Sequence, residues 1–288
     1  MSGHGTHRPP RIHRKFTMSK TLPLARLGAA LALCGTTWAH ALPVLANTNL
    51  DGSQGLTGWQ AVGDVAVIDA ATGPAGIDLS VNPYPTMLAL GTATTYDWDD
   101  ANAAAGTYSV SHHTDPAYDS DLVQVSQALG LGNVAALGAN AFEGSAISRS
   151  LSVSAGSTVS FQWRAWTRTP TASIASQNDA LWFTASGAGQ VATTAPIATL
   201  QSLFVSGTPA GTAHGWLDSG WRTVSFTVAQ SGALNLGWAV VDQGSTTDTT
   251  VMAVGGLNVV PGVPEPTSLA LLVAGLGAAL GVQAWRRR

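Results

Sequence analysis

The chain has 288 residues, 45% of them hydrophobic and only 10% charged, with a formal net charge of −3. Its single cysteine, Cys34, excludes an intrachain disulfide framework. The charge is unevenly placed. Residues 42–262 hold four arginines (Arg149, Arg164, Arg168 and Arg222), no lysine and fifteen acids, a net of −11. That balance argues against nucleic acid, whose phosphates need Lys and Arg. It permits Ca²⁺, which takes oxygen ligands, although scattered acids also serve simply to keep a Ser/Thr/Gly-rich surface soluble.

Residues 1–17 are rich in Arg, His and Pro and show no apolar periodicity. A secretory signal pattern starts at Met18. Lys20 and Arg26 supply its positive region, residues 27–33 its apolar region, and Ala39-His40-Ala41 an A-x-A cleavage site. Translation is expected to start at Met18, with residues 1–17 a misassigned start or a disordered extension. Signal peptidase is expected to cut after Ala41. Cys34 falls inside the removed segment, so the mature chain has no thiol. Leu31-Ala32-Leu33-Cys34 is a weak lipoprotein-type alternative.

The remaining stretch of about 220 residues suits one all-β domain. Two-residue alternation is clearest at 158–167, where Val159, Phe161, Trp163 and Ala165 oppose Ser160, Gln162, Arg164 and Trp166. It recurs at 222–229 (Val224, Phe226, Val228) and at 233–241 (Leu234, Leu236, Trp238, Val240). Such alternation predicts half-buried antiparallel strands. Weaker candidates are 62–68, 107–111, 122–126, 147–154, 181–185, 200–206 and 250–259. Turn residues at 155–157, 186–189 and 230–232 separate several of them. Residues 102–105 or 124–131 suit a short helical turn instead. The whole predicts an antiparallel β-sandwich over residues 42–260.

Three segments, followed by a final strand at 251–259, carry a loose resemblance to the jelly-roll modules of surface proteins and carbohydrate-binding domains: the run Leu-Ser-Val-Ser-Ala-Gly-Ser-Thr-Val-Ser-Phe-Gln-Trp within 150–167, Asn178-Asp179-Ala180-Leu181-Trp182-Phe183, and Gly220-Trp221-Arg222-Thr223-Val224-Ser225-Phe226-Thr227-Val228. Gly58-Trp59 followed by Gly63-Asp64-Val65 resembles the opening strand of the same modules. The resemblance implies a jelly-roll-like sandwich. It also implies an Asp in the last strand that helps hold a structural Ca²⁺, but this chain has Gly256 near that place.

The densest acidic run is 96–102, where Asp97, Asp99 and Asn102 are candidate Ca²⁺ ligands. It lacks the full D-x-D-x-D-G pattern and equally suits a solvated turn. Asp115, Asp119 and Asp121 lie near His112 and His113, but adjacent histidines in a strand point to opposite faces. No G-x-S-x-G and no H-E-x-x-H occurs, and Glu143 is the only glutamate before Glu265. The expectation is a non-enzyme, with a secreted hydrolase the least favoured reading. Eight tryptophans fall in the domain. Trp163 and Trp238 sit on apolar strand faces. Trp166 shares a polar face with Arg164 and Gln162, so these three are the candidate glycan-binding residues. Trp98, Trp216 and Trp221 lie near turns.

The chain closes on Val263-Pro264-Glu265-Pro266, an uncharged span over 268–285, and Arg286, Arg287 and Arg288. The span has about the minimum length for a membrane helix, and the arginines are membrane-stop residues that fix the C-terminus on the cytoplasmic side. Together these residues resemble the PEP-CTERM sorting signal of Gram-negative bacteria, a segment also labelled an ice-binding-protein C-terminal domain. The resemblance implies recognition by exosortase, a membrane transpeptidase, with cutting near the Pro-Glu-Pro. Pro264 and Pro266 keep that backbone extended. The expected role is an exported structural or adhesive protein in the exopolysaccharide layer. A carbohydrate-binding module, with extracellular polysaccharide as its partner, is the alternative.

Overall fold

A computed structural model describes residues 52–69, 83–92, 122–207, 209, 211–213, 215–244 and 248–262, with positions 275–277, 280, 282, 283, 285 and 286. In chain order its strands are β1 (Gln60–Val62), β2 (Val65–Ile68), β3 (Met87–Gly91), β4 (Ala141–Val153), β5 (Thr158–Thr167), β6 (Ala180–Gly187) and β7 (Ala198–Thr199). They continue with β8 (Gly211–Ala213), β9 (Trp216–Asp218), β10 (Arg222–Thr227), β11 (Gly232–Gln243) and β12 (Thr250–Val260). Helix α1 (Leu122–Ala128) and a 3₁₀ turn over Val134–Leu137 stand between β3 and β4.

The strands form two antiparallel sheets. The first has the order β1-β4-β11-β6-β7; the second runs β2-β3-β12-β5-β9-β8, with β10 also paired to β5. From β3 onward the long strands alternate between the sheets. The resulting orders, β4-β11-β6-β7 and β3-β12-β5-β10, are those of a jelly roll. The residues that alternate in sequence explain the pairing of the layers. Ile147, Leu181, Leu236 and Trp238 of the first sheet and Phe161, Trp163, Met252 and Val254 of the second are all buried in one cluster. At its centre Trp238 meets Phe161 edge-on at 5.2 Å, and Phe161 lies 4.6 Å from Phe183. Contacts of this kind contribute about 0.5–1.5 kcal/mol each beyond the area they bury.

Each of the four arginines of residues 42–262 sits over an indole. Arg149 covers Trp59 at 5.2 Å, Arg164 covers Trp166 at 5.0 Å, Arg168 covers Trp216 at 4.9 Å and Arg222 covers Trp163 at 5.8 Å. A planar, weakly hydrated guanidinium stacks on a ring face more readily than a lysine ammonium.

The strong alternating strands stand where expected, and β5 coincides with 158–167. Several weaker expectations are corrected. Residues 122–126 are helical rather than a strand, in line with the helical turn offered at 124–131, because Val125 and Leu129, four apart, both seat on the first sheet. Residues 201–205 form a π-helical turn rather than a strand, burying Leu203 and Phe204. The 62–68 candidate is two short strands broken at Gly63, whose φ of 74° suits glycine. Strand β3 is buried at every position, so its Met-Leu-Ala-Leu run has no alternation to announce it.

The 107–111 strand candidate and the whole signal segment, with Ala39 and Ala41, lie outside the described residues. So do Val263, Pro264, Glu265, Pro266, Arg287 and Arg288. The described positions between 275 and 285 are helical, and the Arg286 N–H donates to the Val282 carbonyl at 3.1 Å. Among the described residues no helix is long and apolar enough to cross a membrane.

Candidate functional site

The outer face of the first sheet has two unlike ends. Across β4, β11 and β6 the register aligns Ala146, Ala239 and Trp182 in one row. Helix α1 and the 3₁₀ turn roof that row through Val125, Leu129 and Leu137. The next row on the same face is Ser148, Gly237 and Thr184, which Gln60 of β1 extends, and the one after is Ser150, Asn235 and Ser186. Here the roof stops. Helix α1 has neither Gly nor a C-terminal cation inside it, and the chain leaves it through Gly130, at φ 68°.

An open groove of about 390 Å³ lies over the two polar rows, with Gln127 to Gly130 as one wall and Gly58 and Arg149 also on its lining. The Ser148 hydroxyl donates to Gln60 Oε1 at 3.4 Å, and the Thr184 hydroxyl donates to the Leu129 carbonyl at 2.7 Å. The floor is therefore made of hydroxyls and carboxamides that both donate and accept. Gly237 is required for this shape. A Cβ there would stand 2.8 Å from the Ala128 carbonyl oxygen, against the end of the helix that forms the wall.

The glycan candidates proposed from sequence sit on the other sheet. Trp166 is only 1% exposed, so its ring offers no face to a sugar. It is buried with Ile68, Met87 and Trp216. Arg164 lies between Trp166 and Trp221 and pairs with Asp218 through both carboxylate oxygens, its Nε donating at 2.9 Å. Gln162 donates to the Thr223 hydroxyl at 3.2 Å. These three act as a structural strut on β5. Nearby, Tyr84 meets Trp221 edge-on at 5.6 Å and lies against Gly255 and Gly256. Gly256, at φ 61°, thus occupies a tight bulge beneath a ring, where the family pattern would place a Ca²⁺-binding Asp. The Ca²⁺ candidates Asp97, Asp99 and Asn102 lie outside the described residues.

A buried acidic pair lies at the start of β6 and the end of β11. Asp179 and Asp242 are each 1% exposed, with Glu143 close by at 3%. Two like charges buried side by side disfavour ionisation of both. Burial pushes Asp179 up to about 7, against the pull of the Thr250 hydroxyl and the Gln243 N–H. Burial, then the negative charges of Asp179 and Glu143, hold Asp242 well above the usual carboxylate range. Among the described residues no group of three or more His, Cys, Asp or Glu side chains has the arrangement to hold a metal ion.

Sequence reasoning missed the groove. Its signal was Ser148-Arg149-Ser150, Thr184-Ala185-Ser186 and Asn235-Leu236-Gly237, the polar members of three alternating strands. Only the register brings them side by side.

No family model matches the chain, and no curated protein matches it in sequence. Solved structures similar to it include a carbohydrate-binding module, TmCBM61, in complex with β-1,4-galactotriose. It is 8% identical with a TM-score of 0.35, and the match covers 74% of this chain and 96% of that one. The K3 cleaved adhesin domain of Lys-gingipain from Porphyromonas gingivalis W83 is 11% identical, with a TM-score of 0.32 over 74% of this chain and 97% of that one. A CBM4 structure is 11% identical, with a TM-score of 0.20 over 41% of this chain and 61% of that one. None of these likenesses assigns the chain a family or a ligand.

Proposed function

We propose that this chain is an exported, cell-surface polysaccharide-binding protein that performs no catalysis. The observation that supports binding is the polar groove on the first sheet. Its two rows of Ser, Thr and Asn side chains, with Gln60 at the edge, offer mixed donors and acceptors to a polyhydroxylated ligand. Among the described residues no aromatic side chain lines it, so affinity would come from hydrogen bonds and remain modest.

Delivery to the surface rests on the two ends of the chain. The A-x-A signal starts export, and the Pro-Glu-Pro segment with its arginine tail directs exosortase sorting. Leu276, Leu280, Val282 and Trp285 are each at least 55% exposed, which suits a segment awaiting an apolar environment rather than one serving a protein core.

The test is affinity electrophoresis of the full chain in mild detergent through gels carrying a panel of neutral and acidic polysaccharides. Retardation by at least one polymer, lost in Asn235→Trp with an unchanged circular dichroism spectrum, is the expected result. Equal mobility in every gel would remove the binding role. Mass spectrometry of the mature protein tests the sorting arm: retention of the 269–285 peptide on surface material rejects exosortase processing.

A further inference from the structure

We infer that the chain forms a weak two-fold dimer in which β10 of one copy pairs antiparallel with β10 of another. The inference is independent of the glycan reading, because β10 lies in the second sheet and the groove on the first. An edge strand presents a row of unpaired N–H and C=O groups that templates a further strand, and folded proteins blunt such edges with short strands, Lys, Pro or bulges. Among the described residues β1, β2, β7 and β8, which end the sheets, have only two to four residues each. Strand β10 differs. It has six residues, Arg-Thr-Val-Ser-Phe-Thr, with neither Lys nor Pro. Among the described residues it pairs with β5 alone, in a register without a break.

The hydrogen bonds just past β10 fix which of its backbone groups are free. Val228 donates its N–H to the Ser157 carbonyl and accepts from the Gly156 N–H, both at 2.8 Å. Backbone groups alternate in direction along an antiparallel strand, so Val224 and Phe226 turn theirs to β5, while Thr223, Ser225 and Thr227 turn theirs outward. The Gln190 Nε2 donates to the Thr227 carbonyl at 3.1 Å and closes that end of the edge. Thr223 and Ser225 are exposed, and among the described residues no group meets their N–H or carbonyl. A second copy is the occupant because this strip is its own complement. About a two-fold axis at Val224, Thr223 of one copy faces Ser225 of the other, and these four backbone groups of each copy are all paired. Val224 then meets its twin at a non-hydrogen-bonded position, where side chains come closest, and Arg222 faces Phe226 rather than a like charge. Val224 and Phe226 are only partly buried in the single copy, so pairing takes more of their apolar surface out of water. Val191, next to Gln190, adds an apolar side chain that is 88% exposed. The net −11 of residues 42–262 opposes approach, which keeps the dimer weak and makes it tighten as salt screens the charge.

The test is sedimentation velocity of the full chain in mild detergent, without any glycan. A strip this short makes a small interface, so the concentration should be varied from about 1 to about 300 µM. The parent should pass from monomer to dimer over that range. Ser225→Pro removes an N–H that makes no bond within the fold, and proline is tolerated at an edge position of that kind. Ser225→Lys leaves the backbone unchanged and sets an ammonium group in the pairing strip, as natural edges do. Each should weaken dimerisation at least about tenfold with an unchanged circular dichroism spectrum. Should the proline variant fail to fold, the lysine variant carries the test alone. A parent that stays monomeric throughout overturns the dimer. Undiminished dimerisation of the folded variants also overturns it, and assigns association to another surface, such as the exposed apolar side chains of residues 276–285. Neither result touches polysaccharide binding, which the gel experiment reads separately.

Discussion

One face of one sheet carries two chemistries. The row of Ala146, Ala239 and Trp182 is apolar and roofed; two residues along the same strands, the row of Ser148, Gly237 and Thr184 begins an open polar floor. The strands, twist and register are shared, so neither propensity nor topology makes the difference. It comes from side-chain choice at every second position and from where α1 ends. The same face anchors the fold at one end and meets solvent at the other.

The largest effect is expected at the roofed end. Trp182→Ala should cost about 3–5 kcal/mol in a guanidinium chloride titration; a cost comparable to a surface change would show that the roof is ornamental. At the boundary, Gly237→Val drives a branched side chain into the Ala128 carbonyl and Leu129. The expected cost is about 1–3 kcal/mol, together with loss of polysaccharide retardation. Retained retardation would detach the groove from the helix wall.

The buried acids extend the roofed end toward the tip of β11, and their expected effect depends on pH. Asp179 and Asp242 have raised values in the folded state, so the folded protein holds protons that the unfolded chain releases at lower pH. Their contribution to stability therefore falls as pH rises, from about 4 to about 7 for Asp179. Asp242 adds a loss of the same sign. Asp242→Asn should thus raise Tm relative to the parent at pH 8 and do so much less at pH 4.5. A domain of this size moves about 2–4 °C per kcal/mol. A difference independent of pH in calorimetry would mean that neither carboxyl is raised in the folded state. The smallest stability effect belongs to the open end: Asn235→Ala should change stability by no more than about 0.5 kcal/mol while weakening glycan binding several-fold by isothermal titration.

The sandwich could be read from sequence where side chains alternate. Val159, Phe161 and Trp163, or Leu234, Leu236 and Trp238, declare a buried face directly. Strand β3 did not, because burial on both sides erases the period. Residues 122–126 suited a strand or a helical turn on sequence, and 201–205 a strand; contact with the sheet decides the helical form of both. Trp166 misled for a related reason. It falls on the polar side of β5 by parity, but Arg164, Trp216 and Trp221 seal it there. The groove was illegible because Ser148, Gly237 and Thr184 come from strands far apart in the chain. Small hydroxyl residues carry no signal until the register sets them in a row.

The stacking of all four arginines of residues 42–262 on indoles has a further consequence, for proteolysis. Trypsin-like enzymes need a basic side chain free to enter their specificity pocket, on a segment that can be pulled into an extended, unpaired form. Between residues 42 and 262 no lysine exists, and each arginine rests on a ring at or beside a hydrogen-bonded strand. The folded sandwich should therefore survive prolonged tryptic digestion as one large fragment, trimmed only at its basic extremities.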